Sequence, residues 1–428
     1  MYLGIDIGTS GIRLVVINDN EEIMAQLFGQ YQQIDEADQE QAISQDPMVW
    51  WKLFLLLLEQ LNHQVPLKII QKICIDGTSG TVLLLDHLHR PIGKALMYHH
   101  SQAVEEAKQI KNFAPGDFPF ASAESTLAKI LWLIKHHQAY SNVYFCNQAD
   151  WFYYQLSQQY LISDTNNVLK MGYDVKNACW PQWFDQLRIS SLQLPKVFQP
   201  GRLLPYKHSN LEQFGFSKEV RLVAGTTDST AAIYASRAAQ PGDAITSLGS
   251  TLVTKVVSTK PINRREYGIY SQPFGQYWLI GGGSNSGGKV IKHFFTPSQM
   301  KAYTSMIRPD KLLNLSYYPL LEKGERFPEN NRHKEPKLEP RPEQDHQFFQ
   351  AILEGIADIE AASYQKLMRL GGPKINRVIT MGGGACNRQW QQIRQDKLGV
   401  LCCKAKQTEA AYGAALLAKS SAPRCHSD

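Results

Sequence analysis

No apolar run in this 428-residue chain approaches the ~20 residues of a membrane span. The strongest, Leu53 to Leu58, follows Asp46-Pro47, a helix N-cap with proline at the first helical position, so a core helix is expected and a membrane partner is not. Blocks of one charge are missing too. The 45 Lys+Arg and 39 Asp+Glu leave +6, spread along the chain, and the longest pure basic run is Arg264-Arg265. Without a cationic stripe to face phosphates, no nucleic-acid partner is expected. Cysteine is sparse and unpatterned: Cys74, Cys146, Cys179, Cys386, Cys402, Cys403 and Cys425 form no CxxC pair for zinc or redox work. With no basic and apolar leader at Met1 to Asp6, the expected compartment is a reducing cytoplasm. What is present is ordinary globular material, 43% hydrophobic and 20% charged, enough for two or three domains at roughly 150 residues each.

The pattern along the chain suggests duplication. Tyr2 to Ile7, the turn Gly8-Thr9-Ser10-Gly11 and Ile12 to Ile17 read as a hairpin, and Ile245 to Val253 repeats it with Gly249-Ser250-Thr251 in the turn. Val220 to Val223 leads through Gly225-Thr226-Thr227-Asp228 to an Ala-rich helix. Val378 to Met381 leads through Gly382-Gly383-Gly384 to a helix from about Asn387, and the two segments are read as equivalents. The boundary is expected near Ala235 to Asp243, at Pro241-Gly242. Glu322 to Gln347, with four prolines, reads as a long surface loop or flap. Phe348 to Leu370 reads as a periodic helix ended by Gly371-Gly372-Pro373, Glu409 to Lys419 as an Ala-rich closing helix, and Ser420 to Asp428 as a frayed tail.

Three features suggest chemistry. Asp6 stands inside an apolar strand, where an unpaired carboxylate costs several kcal/mol of desolvation, so a cation should compensate it. The neighbouring turn offers backbone N–H groups and the Thr9 and Ser10 hydroxyls to a phosphate, Mg²⁺ would bridge phosphate and carboxylate, and Arg13 adds a charge. Taken alone, such an Asp also satisfies its own turn. The second hairpin has Ser247 in place of Asp6, so one half alone supplies the acid. Asp228, at the end of a strand and the start of a helix, suits a general base as well as a simple cap. Asp76 and Ser79, around Gly77-Thr78-Ser79-Gly80, suit either a polyol or a plain turn. The tracts Gly281 to Gly288 and Gly382 to Asn387 let a ligand touch backbone, which assigns the nucleotide to the second half.

Together these residues resemble the FGGY carbohydrate kinases of the actin-like ATPase superfamily, over nearly the whole chain. The matching motifs are Asp6-Ile7-Gly8-Thr9-Ser10, Gly225-Thr226-Thr227-Asp228, Ser247-Leu248-Gly249-Ser250-Thr251, a helix start at Glu354-Gly355-Ile356, Gly382 to Asn387, and Thr408 to Ala415. Ile75 to Val82 and the run from Tyr317-Tyr318-Pro319 to Pro328 most resemble a short xylulose-kinase-like group of cyanobacteria and plants, regarded as D-ribulose kinases. The resemblance implies an α/β fold of two ribonuclease-H-like domains around a deep interdomain cleft. Residues 1–235 would bind sugar, joined by a returning helix at about 409–428, and residues 236–408 would bind ATP. By motif, Asp6 and Thr9 would handle Mg²⁺ and the γ-phosphate, with Asp228 as base and second acid near the metal. Gly8, Thr9, Ser10, Gly249, Ser250, Thr251, Gly282 and Gly283 would cradle the phosphates, and Gly383, Gly384 and Asn387 would face the adenosine. Asp6, Asp76, Ser79 and Asp228 would hold the ketose.

Typical xylulose kinases carry a Gln-Met-His-Gly-like signature where this chain has Gly77-Thr78-Ser79-Gly80, and a changed donor set alters which epimer is accepted. The expected activity is therefore ATP- and Mg²⁺-dependent phosphorylation of a ketopentose, D-ribulose, at its terminal hydroxyl. D-xylulose, glycerol or another polyol is the nearer alternative, and an actin-like ATPase switch or scaffold the more distant one.

Overall fold

The computed structural model describes residues 1–31, 43–116, 118, 120–138, 142–158, 161–190, 193–205 and 209–421. Cys425 and the tail beyond Ser421 lie outside them. Contacts divide the chain into two units, Met1–Ala235 with the segment from Glu409, and Ser236–Thr408.

In the first unit, β1 (Tyr2–Ile7), β2 (Gly11–Ile17) and β3 (Ile23–Gln30) form an antiparallel meander. Helix α1 (Pro47–Gln64) is started by Asp46, whose side chain accepts from Met48 N–H, and it buries Trp50, Phe54, Leu57, Leu58 and Leu61 at helical spacing. Leu55 and Leu56, in the middle of the apolar run, face outward, so only one face of that helix is core. Strand β4 (Lys72–Gly77) pairs parallel with β1. Helices α2 (Thr126–His137) and α3 (Gln148–Ser157) follow. Strand β5 (Arg221–Thr227) pairs parallel with β4 and runs directly into α4 (Asp228–Ala235). Gly225-Thr226-Thr227, expected as a turn, is therefore strand: Thr226 and Thr227 pair with Asp76 and Gly77 after a bulge, and a Cβ at Gly225 would collide with the Ile75 carbonyl. The sheet order is β5-β4-β1-β2-β3, and the parallel strands are buried on both faces, as their continuous apolar runs require.

The second unit repeats the plan. Its strands are β6 (Asp243–Leu248), β7 (Leu252–Ser258), β8 (Tyr270–Phe274) and β9 (Tyr277–Ser284), followed by α5 (Gly288–Phe294) and α6 (Asp345–Arg369). Then come β10 (Arg377–Met381), α7 (Arg388–Leu398) and β11 (Leu401–Lys404), and the sheet order is β8-β9-β7-β6-β10-β11. The duplication is thus real, but its register differs from the expected one. β10 lies beside β6 as β4 lies beside β1, so the Gly382 turn matches the Gly77 turn, while β5 and Asp228 match β11.

Two further expectations change. Glu354-Gly355-Ile356 lies within α6, whose first turn is at Asp345, and a Cβ at Gly355 would meet the Tyr317 carbonyl. The Glu322–Gln347 stretch is more than a flap: Phe327 is buried, and the buried Glu325 accepts from Ser284, Asn285 and Tyr318.

The closing helix α8 (Ala410–Ser420) belongs to the first unit. It rests backbone to backbone on β1 at Gly4 and on α4 at Gly413, where a Cβ would collide with the carbonyls of Ala411 and Ala231 respectively. Its Ala-rich face packs on Tyr2, Val15, Ile17, Cys74 and Val223.

Candidate active site

Three parallel strands of the first unit end side by side, the edge at which α/β sheets place ligands. Their register aligns the chemistry. Asp6 of β1 stands opposite Arg13 of β2 on one side and Asp76 of β4 on the other, and Asp76 stands opposite Thr226 of β5. Cross-strand partners share a face, so Arg13, Asp6, Asp76 and Thr226 form one row. Asp228, the first residue of α4, follows Thr226 by two positions.

The row holds more acid than base. Asp6 is 5% exposed and Asp76 fully buried. Arg13 lies 3.5 Å from Asp6 and 3.2 Å from Glu409, the residue that precedes α8. Burial, then the charge of Asp228, pushes the Asp6 carboxyl up to about 6, against a hydrogen bond from Asp76 and the charge of Arg13. Asp76 is raised well above the usual carboxylate range, by burial and by the charges of Asp6 and Asp228. Two ionised carboxylates cannot donate to each other, and as an anion Asp76 has no hydrogen-bond partner among the described residues. A proton on Asp76 would supply a donor toward Asp6, and burial with the charges of Asp6 and Asp228 favours that neutral form. Asp228 is partly accessible but ringed by protein, and desolvation raises its carboxyl against Ser229 N–H, Lys170 and Ser79 N–H.

Two turns complete this edge. Gly8 N–H closes the Thr9-Ser10 turn on Gly11 O at 2.9 Å, and Gln45, itself held by Trp50, donates to Thr9 O at 3.0 Å. The Gly77–Gly80 turn has Thr78 bound to Gln148 Oε1 through its N–H (3.2 Å) and its hydroxyl (2.8 Å). Gly80 takes φ +95°, a region that favours glycine. Lys170 donates to Ser79 O at 3.4 Å, and the buried Lys129 of α2 donates to Gly80 O and, at 2.9 Å, to Met97 O.

The second unit carries a cavity of about 640 Å³, a size suited to a nucleotide or comparable ligand. Its floor is backbone: Gly249-Ser250 of the β6–β7 turn, Gly288, and Gly383-Gly384 after β10. Its walls are Ile291, Met300, Phe349, Leu353 and Trp390, with Lys292 and Lys301 as cations. Asn387 accepts from Trp390 N–H at 2.9 Å and donates to Thr304 at 3.2 Å, and Trp390 donates to Leu353 O at 2.9 Å, so this wall is fixed.

Of the expected ligand-binding residues, Asp6, Asp76, Ser79 and Asp228 gather in the first unit. Gly249, Ser250, Gly383, Gly384 and Asn387 line the cavity of the second. Thr251, Gly282 and Gly283 do not line it. Gly282 and Gly283 are strand residues of β9, where a Cβ at Gly282 would press on Phe327 and the Gly268 carbonyl, and a Cβ at Thr251's neighbour Gly287 would press on Thr251. Lys129, Lys170, Gln148 and Glu409 were not anticipated. Lys129 left a trace, as the one cation in the apolar stretch Leu127–Ile134.

Among the described residues, no group of three acidic, His or Cys side chains forms a ready metal cluster, and no helix is long and apolar enough to cross a membrane. The donors at the acidic edge, Asp6 and Asp228 with the Thr9 turn, are hard oxygens. They suit a Mg²⁺ that takes one or two carboxylates and draws its other ligands from water and phosphate.

Comparison with known proteins places the chain in a family. Residues 1–235 match the N-terminal domain of the FGGY family of carbohydrate kinases, and residues 244–422 match its C-terminal domain. A xylulose kinase of Staphylococcus xylosus is 22% identical over 97% of this chain and 90% of its own length. A gluconokinase of Bacillus subtilis is 22% identical over 92% and 82%. The fold matches a ligand-bound xylulose kinase from Lactobacillus acidophilus with a TM-score of 0.84 at 20% identity, over 98% of this chain and 89% of that one. With both halves matched by the family's two domains, the chain belongs to the FGGY family of carbohydrate kinases.

Proposed function

We propose that the protein transfers the γ-phosphoryl group of ATP to the terminal hydroxyl of a ketopentose, D-ribulose, giving D-ribulose 5-phosphate. The observation that carries this reading is the Gly77-Thr78-Ser79-Gly80 turn set beside Asp228, a short hydroxyl-bearing turn where typical xylulose kinases have a Gln-Met-His-Gly-like one. In this reading Asp228 accepts the proton of the attacking hydroxyl. Burial raises its carboxyl, which strengthens it as a base, and such a base contributes roughly 10²–10⁴ in rate. The Ser79 turn and the Asp6 carboxylate orient the ketose. The Thr9-Ser10 turn meets the transferred phosphoryl, and Gly249, Ser250, Gly383, Gly384 and Asn387 hold the nucleotide. Asp6 and Asp228 would hold Mg²⁺, which when bound neutralises phosphate charge.

A second reading, with D-xylulose as acceptor, is favoured by the xylulose kinases among the relatives. ADP release measured over D-ribulose, D-xylulose, gluconate and glycerol tests both. The highest kcat/KM should fall on D-ribulose; a preference for D-xylulose replaces the first reading with the second, and release independent of any acceptor favours an ATPase switch. Asp228→Asn should lower acceptor phosphorylation at least ~10²-fold with ADP binding retained, and full turnover in that variant removes the assigned base.

A further inference from the structure

Lys129 is unusual for its place. Beyond its first residue, Thr126, helix α2 is otherwise apolar where it is buried, with Leu127, Ala128, Ile130, Leu131, Leu133 and Ile134 in the core, yet the lysine among them is fully enclosed. A buried ammonium is costly, and an apolar side chain at this position would avoid that cost. Its hydrogen bonds go to three main-chain carbonyls, Gly80, Met97 (2.9 Å) and Tyr98 (3.4 Å), with no carboxylate among these partners. Three acceptors match the three protons of an ammonium group.

The carbonyl of Gly80 belongs to the turn beside Asp228. Three successive peptide groups of that turn are each tied to a side chain. Gly77, which opens the turn, is paired with Thr227, the residue before Asp228, so Ser79 N–H acts on the Asp228 carboxylate; Ser79 O accepts from Lys170 at 3.4 Å, and Gly80 O accepts from Lys129. Lys170 also acts electrostatically on Asp228. Thr78 at the start of the turn is held by Gln148, whereas Gly80 at φ +95° carries no side chain and its carbonyl is held by Lys129.

We propose that Lys129 is a positioning residue for phosphoryl transfer: from inside α2 it holds the Ser79-Gly80 turn so that Ser79 N–H orients the Asp228 carboxylate toward the acceptor. The inference rests on the assignment of Asp228 as the base. A small displacement of a reacting group can cost about a hundredfold in rate, so a residue that never touches substrate can still govern turnover.

A double-mutant cycle tests it in the full-length protein. Lys129→Met keeps the stem and removes the donors. It should lower kcat/KM for the acceptor roughly 10- to 100-fold in the otherwise wild-type chain and less than about twofold in an Asp228→Asn background, because a group acting through Asp228 has nothing left to orient. ADP affinity and circular dichroism should be unchanged. An equal loss in both backgrounds overturns the proposal, as does wild-type turnover in Lys129→Met alongside an inactive Asp228→Asn. Should Asp228→Asn itself keep full turnover, the base assignment falls and this inference falls with it. If Lys129→Met does not fold, Lys129→Gln is read in the same cycle, with the same outcomes deciding.

Discussion

Replacing Asp6 by Asn should make the first unit more stable while it abolishes transfer. Burial and the neighbouring Asp228 raise the Asp6 carboxyl from 3.8 to about 6. A carboxyl whose value is higher in the folded state binds more protons folded than unfolded, so stability falls as pH rises from about 4 to about 6 and remains lower above that range. At about 1.4 kcal/mol per tenfold change in proton affinity, the penalty at neutral pH is about 3 kcal/mol. The contact with Arg13 at 3.5 Å is already contained in that raised value, and Arg13 keeps Glu409 at 3.2 Å once Asp6 is gone. The expected gain for Asp6→Asn at about pH 7.5 is therefore at most about 3 kcal/mol, or up to about 6–12 °C in the midpoint of the first unit's transition. Thermal and urea unfolding without nucleotide or metal measure it. Wild type should gain stability between about pH 7.5 and about pH 5, and the variant should lose the share of that dependence that Asp6 contributes, while Asp150 and Asp164 of the same unit, also raised by burial, keep theirs. A variant that melts below wild type at neutral pH, or that keeps the wild-type pH slope, refutes the account of the acidic row.

Other outcomes follow from single contacts. In the second unit Arg394 and Glu360 are both buried and paired through two bonds, at 2.6 and 2.7 Å. Glu360→Gln, which leaves the guanidinium charge uncompensated, should cost about 3–5 kcal/mol in urea unfolding; a cost below about 1 kcal/mol would mean that water reaches the pair. Gly383 has open space where a Cβ would sit, whereas Gly413 has the Ala231 carbonyl there. Gly383→Ala should therefore leave the melting temperature unchanged and weaken ADP binding in calorimetry. Gly413→Ala should lower the melting temperature and leave ADP affinity in the second unit unaltered. The reverse pattern would contradict the assignment of Gly383 to the cavity and of Gly413 to helix packing.

The sequence by itself determined the two hairpins, the capped helix at Asp46-Pro47, the long helix before Gly371 and the family, because turn chemistry, capping and apolar period are local properties. It also marked Asp6, since an acid inside an apolar strand conflicts with its surroundings wherever the strand ends up. Only tertiary structure decided which strands neighbour each other. Parallel pairing is non-local, so the sequence alone matched β5 with β10, whereas the sheet matches β4 with β10. The same pairing decided that Asp76 stands opposite Asp6 with its carboxyl raised, that Gly281 and Gly282 of β9 allow close packing, and that a lysine from α2 reaches the Gly80 carbonyl. Protonation, close approach and positioning depend on what surrounds a group once the chain is folded, and one-dimensional order does not carry that information.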